Sequence, residues 1–159
     1  MKKLIIIILS LVFCAIPTFA KAPDSDTVYN TDAISFSITN TYLYKAPGND
    51  FIILEFHWKN ITNKPISFNM NLLVTGYQND RELSMIDYEP NANTDTMSVN
   101  CMTRIMPGYE NTDYEFIPIK DDSEVTIVVD KAFEVGNSFE DIIYTVIPGE
   151  LPEFQWPKE

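Results

Sequence analysis

The sequence predicts an all-β fold, and three observations carry that prediction. Apolar residues recur at every second position in run after run. Short turn-forming clusters separate those runs. Almost nothing reads as helix. About seven to eight short strands at this spacing make a β-sandwich or a small barrel. The length of 159 residues suits one domain, and a hydrophobic fraction of 45% is that of a chain with a core.

Residues 1–20 read as a signal peptide. Lys2 and Lys3 form a positive start, residues 4–13 are apolar except Ser10, and Pro17 stops the run. Thr18-Phe19-Ala20 then gives a small-x-small cleavage pattern. Even extended to Ile16, the apolar run is shorter than the roughly 20 residues of a spanning helix, so no stable membrane span is expected. Cleavage after Ala20 removes Lys2 and Lys3 and no acid, which takes the formal charge from −12 to −14. The alternative is lipid anchoring at Cys14. Leu11-Val12-Phe13-Cys14 has Leu and Cys at lipobox positions, but Phe13 stands where such boxes take a small residue. The expected location is secreted or extracellular, with envelope association.

Residues 21–32 are polar and aperiodic and read as a flexible lead-in. The sandwich is expected over 33–147. Ile34, Phe36 and Ile38 alternate with Ser35, Ser37 and Thr39. Ile52, Leu54, Phe56 and Trp58 alternate with Ile53, Glu55, His57 and Lys59, so Glu55 is expected to tolerate replacement while Leu54 and Phe56 are core. Within a run over 66–78, Ile66 and Phe68 follow Pro65 and suit a strand start or edge, and 72–78 form another strand. Tyr114 and Phe116 precede Pro118; Val125, Ile127 and Val129 form the next run; 142–147 form the last. Turns are expected at Pro47-Gly48-Asn49-Asp50, across 60–65, at Asn79-Asp80, at Pro107-Gly108 and at Lys120-Asp121-Asp122-Ser123. Residues 87–96 read as a polar loop and 132–141 as one helical turn. Residues 148–159, with Leu151, Phe154 and Trp156, read as an extended C-terminal tail packed on the sandwich.

Chemistry is sparse. Eleven Lys and Arg against 23 Asp and Glu exclude nucleic acid as a partner and predict repulsion from anionic membranes. His57 is the only imidazole, on the face opposite Leu54 and Phe56. After cleavage Cys101 is the only cysteine, so it cannot close an internal disulfide; set among apolar residues, it reads as a buried small hydrophobe. Carboxylates at 24–26 and 121–124 lack the spacing of a calcium loop. No catalytic residue, metal site or cofactor is expected, and the chain is read as not an enzyme. Asn60-Ile61-Thr62 is formally a glycosylation sequon but reads as turn chemistry. From Glu110 onward there are 13 acids against three Lys, so the closing strands carry most of the negative field.

Several segments, in order, resemble one family. Phe51-Ile-Ile-Leu-Glu-Phe-His-Trp-Lys-Asn-Ile-Thr-Asn-Lys-Pro-Ile-Ser-Phe68 is similar to its strand, N-x-S/T-x-K-P, strand signature. Val74-Thr-Gly-Tyr-Gln-Asn-Asp-Arg-Glu-Leu83 resembles its hairpin, with Asp80 where Gly is common. Met106-Pro-Gly108 resembles its Pro-Gly turn, and 114–133 its closing hairpin. The family is a secreted immunoglobulin-like domain of unknown function from Gram-positive envelope proteins. The resemblance, over roughly 27–135, implies an immunoglobulin-like β-sandwich behind a signal peptide or lipobox and carries over no site.

Two functions fit. The first is a non-catalytic exported binding or interaction module at the cell envelope, with a protein or glycan partner. The second is an inhibitor or immunity-type protein acting on an envelope or secreted enzyme. A basic partner would be steered to Asp121, Asp122 and Glu124 or to 134–141.

Overall fold

The computed structural model describes residues 22–83, 101–132 and 139–156. The signal peptide expected at 1–20 with Cys14, the loop expected at 87–96 and most of the turn expected at 132–141 lie outside the described residues. Eight strands are described: β1 (Tyr29–Asn30), β2 (Ile34–Ala46), β3 (Asn49–Asn60), β4 (Leu72–Gln78), β5 (Arg81–Leu83), β6 (Glu110–Ile119), β7 (Val125–Lys131) and β8 (Ile142–Val146). They form two four-stranded sheets, β1-β2-β3-β6 and β5-β4-β7-β8. After β3 the chain crosses to build the β4-β5 hairpin, returns for β6 beside β3, and crosses again for β7 and β8. That Greek-key order is immunoglobulin-like, so the fold expected from the sequence is the fold observed.

The core follows from the two-residue period. Ile52, Leu54, Phe56 and Trp58 of β3 face Val125, Ile127 and Val129 of β7 and Tyr144 of β8 in one apolar cluster. Gly76 lies on the inner face of β4, where a Cβ would collide with the Ile117 side chain, so glycine lets the sheets close. The outer face of β3 is not uniformly polar. Phe51 and Ile53 are buried there with Phe116 and Phe154. The C-terminal tail covers them: Leu43 and the tail exchange backbone bonds at 2.9 Å to Pro152 and 2.8 Å from Phe154. Tyr42, Tyr44 and Trp156 complete this second cluster.

Three local readings need correction. First, β2 runs well beyond 38, and its register shifts between Ile38 and Asn40, leaving Thr39 as the extra residue of a β-bulge. Glu55 lies opposite and clamps it. Its carboxylate accepts bonds from Thr39 Oγ1 at 2.8 Å, Asn40 Nδ2 at 3.3 Å and Tyr42 Oη at 3.3 Å. Glu55 is therefore not a dispensable surface residue. Second, of the run expected over 66–78, the strand expected over 72–78 is observed as β4, but the strand start expected at Ile66 and Phe68 is not a strand. Ile66 makes one bridge to Ile105, and Phe68–Met70 is a 3-10 turn. Asparagine competes for the backbone there: Asn71 Nδ2 donates to the Ser67 carbonyl at 2.7 Å. Third, the segment read as a lead-in contributes β1, and Tyr29 stacks on Phe36 at 5.5 Å.

The turns gather at two ends. Pairings Ala46↔Asn49, Asp50↔Ile119, Gln78↔Val125 and Val125↔Val146 put the turns near 47–48, 79–80, 120–124 and 148–150 at one pole. Pairings Ile34↔Asn60, Lys59↔Glu110 and Leu72↔Lys131 put 61–71 and 101–109 at the other.

Candidate functional site

The chemistry-bearing residues are kept apart. His57 is exposed on the outer face of β3, its Nε2 3.5 Å from Glu110, which Lys59 also reaches at 3.1 Å. Cys101 is buried in the core cluster, on the other side of the first sheet. Burial, with Glu115 and Asp113 nearby, pushes its thiol up to about 12. Such a thiol stays protonated at neutral pH and is a poor nucleophile. Among the described residues no group of three or more His, Cys, Asp or Glu could hold a metal ion.

Two carboxylates face inward, which the sequence reading missed. Asp113 is buried beneath Trp58, whose Nε1 donates to Oδ2 at 2.6 Å, and Asn111 Nδ2 donates to Oδ1 at 3.3 Å. Burial raises the Asp113 carboxyl, and these two donors partly offset it. Glu115, partly buried, is pushed up to about 7 by desolvation and then by Asp113. The available signal was parity. Asp113 and Glu115 share a face with Ile117 and Ile119, while Tyr114 and Phe116 belong to the outer cluster under the tail.

Several acids lie together at one pole. Exposed Asp80, Asp121, Asp122, Glu124 and Glu150 and half-buried Asp50 lie on or beside its turns, against Lys45, Arg81 and Lys120. A shallow cleft runs between Gly48, Asn49 and Asp50 on one side and Lys120, Asp121 and Asp122 on the other. Asp121 closes its own turn, accepting from the Ser123 amide at 2.8 Å and from the Ser123 hydroxyl. Those bonds hold its carboxyl below the usual range. Beneath the turn sits Gln78, buried, with every amide position used. Its Nε2 donates to the Asp121 and Ser123 carbonyls at 2.9 and 3.0 Å, and its Oε1 accepts from the Lys120 amide at 3.0 Å. Asn79 and Asp80 beyond it take φ of 54° and 59°, the mirror-image hairpin turn that asparagine and aspartate tolerate.

A family model described as a domain of unknown function, DUF5067, matches residues 19–131. The chain belongs to the DUF5067 family. The DUF5067 match takes in the motifs on which the sequence resemblance rested, from 51 up to 131, two residues short of the end of the closing hairpin motif at 114–133. A candidate lipoprotein from Staphylococcus aureus shares the fold at a TM-score of 0.58 and 9% identity, covering 80% of this chain and 94% of that chain. A candidate lipoprotein from Bacillus subtilis aligns over 80% of this chain at 10% identity and a TM-score of 0.48, and this chain spans 40% of its length. No curated protein matches by sequence.

Two motif residues of this DUF5067 chain now have a structural cause. Gln78 fixes the acidic turn. Asn60, fully buried, does the same at the opposite pole: its Nδ2 donates to the Lys64 and Ile105 carbonyls at 2.9 and 3.0 Å. Its Oδ1 accepts from the Thr62 amide at 2.9 Å and the Thr62 hydroxyl at 2.8 Å. The sequon is thus turn chemistry, since the amide that would carry a glycan is enclosed and fully used. Among the described residues no helix is long and apolar enough to cross a membrane.

Proposed function

We propose that this chain is a non-catalytic, exported binding module of the cell envelope that uses its acidic pole to receive a basic partner. One observation carries the reading. The turn bearing Asp121 and Asp122 is locked from beneath by Gln78, so its charges are held in a fixed array. A preorganised array loses little entropy on binding. The separation of His57 from Cys101, and the protonated state of that thiol, support a role without catalysis. The lipoprotein description of the S. aureus fold relative supports an envelope setting.

The test compares the exported protein with a variant carrying Asp121→Asn, Asp122→Asn and Glu124→Gln. Both are immobilised, exposed to envelope extract, and the retained partner's association rate is measured against salt. The expected result is a basic partner whose on-rate falls with ionic strength for the native protein and much less for the variant. Equal on-rates and equal salt dependence would confine these charges to solubility. A retained hydrolase whose turnover falls on binding would establish the inhibitor reading instead.

A further inference from the structure

The described strands leave four sheet edges, β1 and β6 in one sheet and β5 and β8 in the other. Three of them are blunted, the usual protection against stray pairing. β1 and β5 are only two and three residues long. β6 turns the acids Asp113 and Glu115 inward and carries Pro118. β8 has no such device. Ile142-Ile-Tyr-Thr-Val146 holds no charge and no proline, and it pairs with β7 in unbroken register. Among the described residues its outer edge meets no other strand.

A cleft of about 680 Å³ opens where β1 meets the start of β8. Val28, Tyr29, Phe139 and Ile142 give it apolar walls, with the two rings edge to face at 6.5 Å. Glu140 and Asp141, both exposed, give it carboxylates. Asp130 adjoins them at the end of the β7–β8 ladder, and its repulsion holds the Asp141 carboxyl above the usual range. Lys131, the cation at that end of β7, is drawn to Asp32 at 3.3 Å. Aromatic walls with acids beside them favour a cation, and the adjoining open edge favours extended backbone.

We propose that the β8 edge takes up an extended basic segment of a partner protein by strand addition, with a Lys or Arg side chain entering the cleft beside Tyr29 and Asp141. Main-chain bonds to β8 give such a contact its affinity, and the cleft gives it specificity. The two-residue period divides the work. Every second side chain of the added strand points toward β1 and the cleft, where the aliphatic stem of a Lys or Arg lies on the rings and its charge meets the acids. The side chains between them lie beside Ile143, which is 50% exposed on the outer face of the sheet. A second copy of this chain is the wrong occupant, because it carries a formal charge of −12 and brings the same acids to its own β8. The contact is independent of the turn bearing Asp121 and Asp122, which lies by the other end of β8, where Val146 pairs with Val125.

The experiment titrates the exported protein with a synthetic peptide of pattern Lys-Val-Thr-Val-Thr-Val. The comparisons are the same peptide with Glu in place of Lys, and versions N-methylated at every second amide in each of the two frames. The Glu peptide should bind about tenfold more weakly, a gap that narrows with salt. At least one N-methylated frame should also bind about tenfold more weakly, since it loses the bonds to β8. Glu140→Lys with Asp141→Lys should reverse the preference between the Lys and Glu peptides. Both residues are exposed, and a thermal melt confirms folding. Asp121→Asn, Asp122→Asn and Glu124→Gln together should leave peptide binding unchanged. Equal affinity for the Lys and Glu peptides, or for all N-methylated and unmodified ones, would overturn the proposal. Binding lost in the Asp121–Glu124 variant but kept in the Glu140–Asp141 variant would also overturn it and assign the peptide to the other end. A native dimer that excludes the peptide would give the edge to a second copy instead.

Discussion

At one end of the sandwich a buried glutamine, Gln78, ties the β6–β7 turn to the β4–β5 hairpin; at the other a buried asparagine, Asn60, ties 62–64 to 105. Both amides spend their donors on two backbone carbonyls and their oxygen on a backbone amide. The same device, one on each sheet, fixes both ends. What differs is the surface mounted on it. One turn carries Asp121 and Asp122, the other Ile61 and Lys64, with Met106 and Tyr109 on the neighbouring turn. The two turns are thus alike in support and unlike in the residues they present.

The strongest way to break that equivalence is to remove the supports. Asn60→Ala leaves the buried carbonyls of Lys64 and Ile105 without their donor and should cost about 3 kcal/mol. Gln78→Ala should cost about 2 kcal/mol, because its turn is more open to water, which can replace the lost donors. Urea denaturation measures both. A loss below about 0.5 kcal/mol at either position would show that the turns hold themselves. Local hydrogen exchange should rise at the substituted pole and not at the other, since the two networks share no residue.

A second measurement sharpens the comparison by asking what acids do when they face inward. Glu115 titrates near pH 7 in the fold against an ordinary value of 4.5. The folded protein therefore holds a proton that the unfolded chain releases. Stability from this group is fully present below about pH 4.5 and is lost as pH rises through about 7. Asp113 is shifted in the same direction. Glu115→Gln keeps the neutral shape and should flatten this part of the pH profile, gaining on the order of 2–3 kcal/mol at pH 8 relative to the native protein. A native profile without loss between pH 5 and 8 would show that water reaches Glu115.

Much of this architecture was legible in alternation and turn chemistry. Ile34 to Ile38 and Ile52 to Trp58 state which faces meet, because a two-residue period admits one register against a core. Other features were hidden for physical reasons. Thr39 looks like any outward threonine, since a bulge depends on what lies across the strand, here Glu55. Clamping by three side chains predicts that Glu55→Ala costs about 1–2 kcal/mol, where a solvated strand residue would cost almost nothing. Ile53 looked outward by its parity with Glu55 and His57, because the tail segment that covers it and Phe51 lies a hundred residues away. The acids of the candidate site were visible as composition, but their gathering at one end needed the strand pairings, and Gln78 gave no sign of lying beneath them.

The smallest effect concerns the charges themselves. Neutralising Asp121, Asp122 and Glu124 removes three exposed charges and leaves Gln78 and its bonds untouched. Exposed charges interact weakly through water, and salt screens them within about 8 Å. Relief of like-charge repulsion and loss of the Asp121 bonds to Ser123 oppose each other. The melting temperature should therefore move by less than about 3 °C, near what 1 kcal/mol produces in a domain of this size. Lys64→Ala with Arg104→Ala should move it no further. The two variants should then agree in how they melt. A larger drop at the acidic pole would mean that the Asp121–Ser123 turn supports the hairpin as well as decorating it, and would end the division between a structural amide and a functional surface.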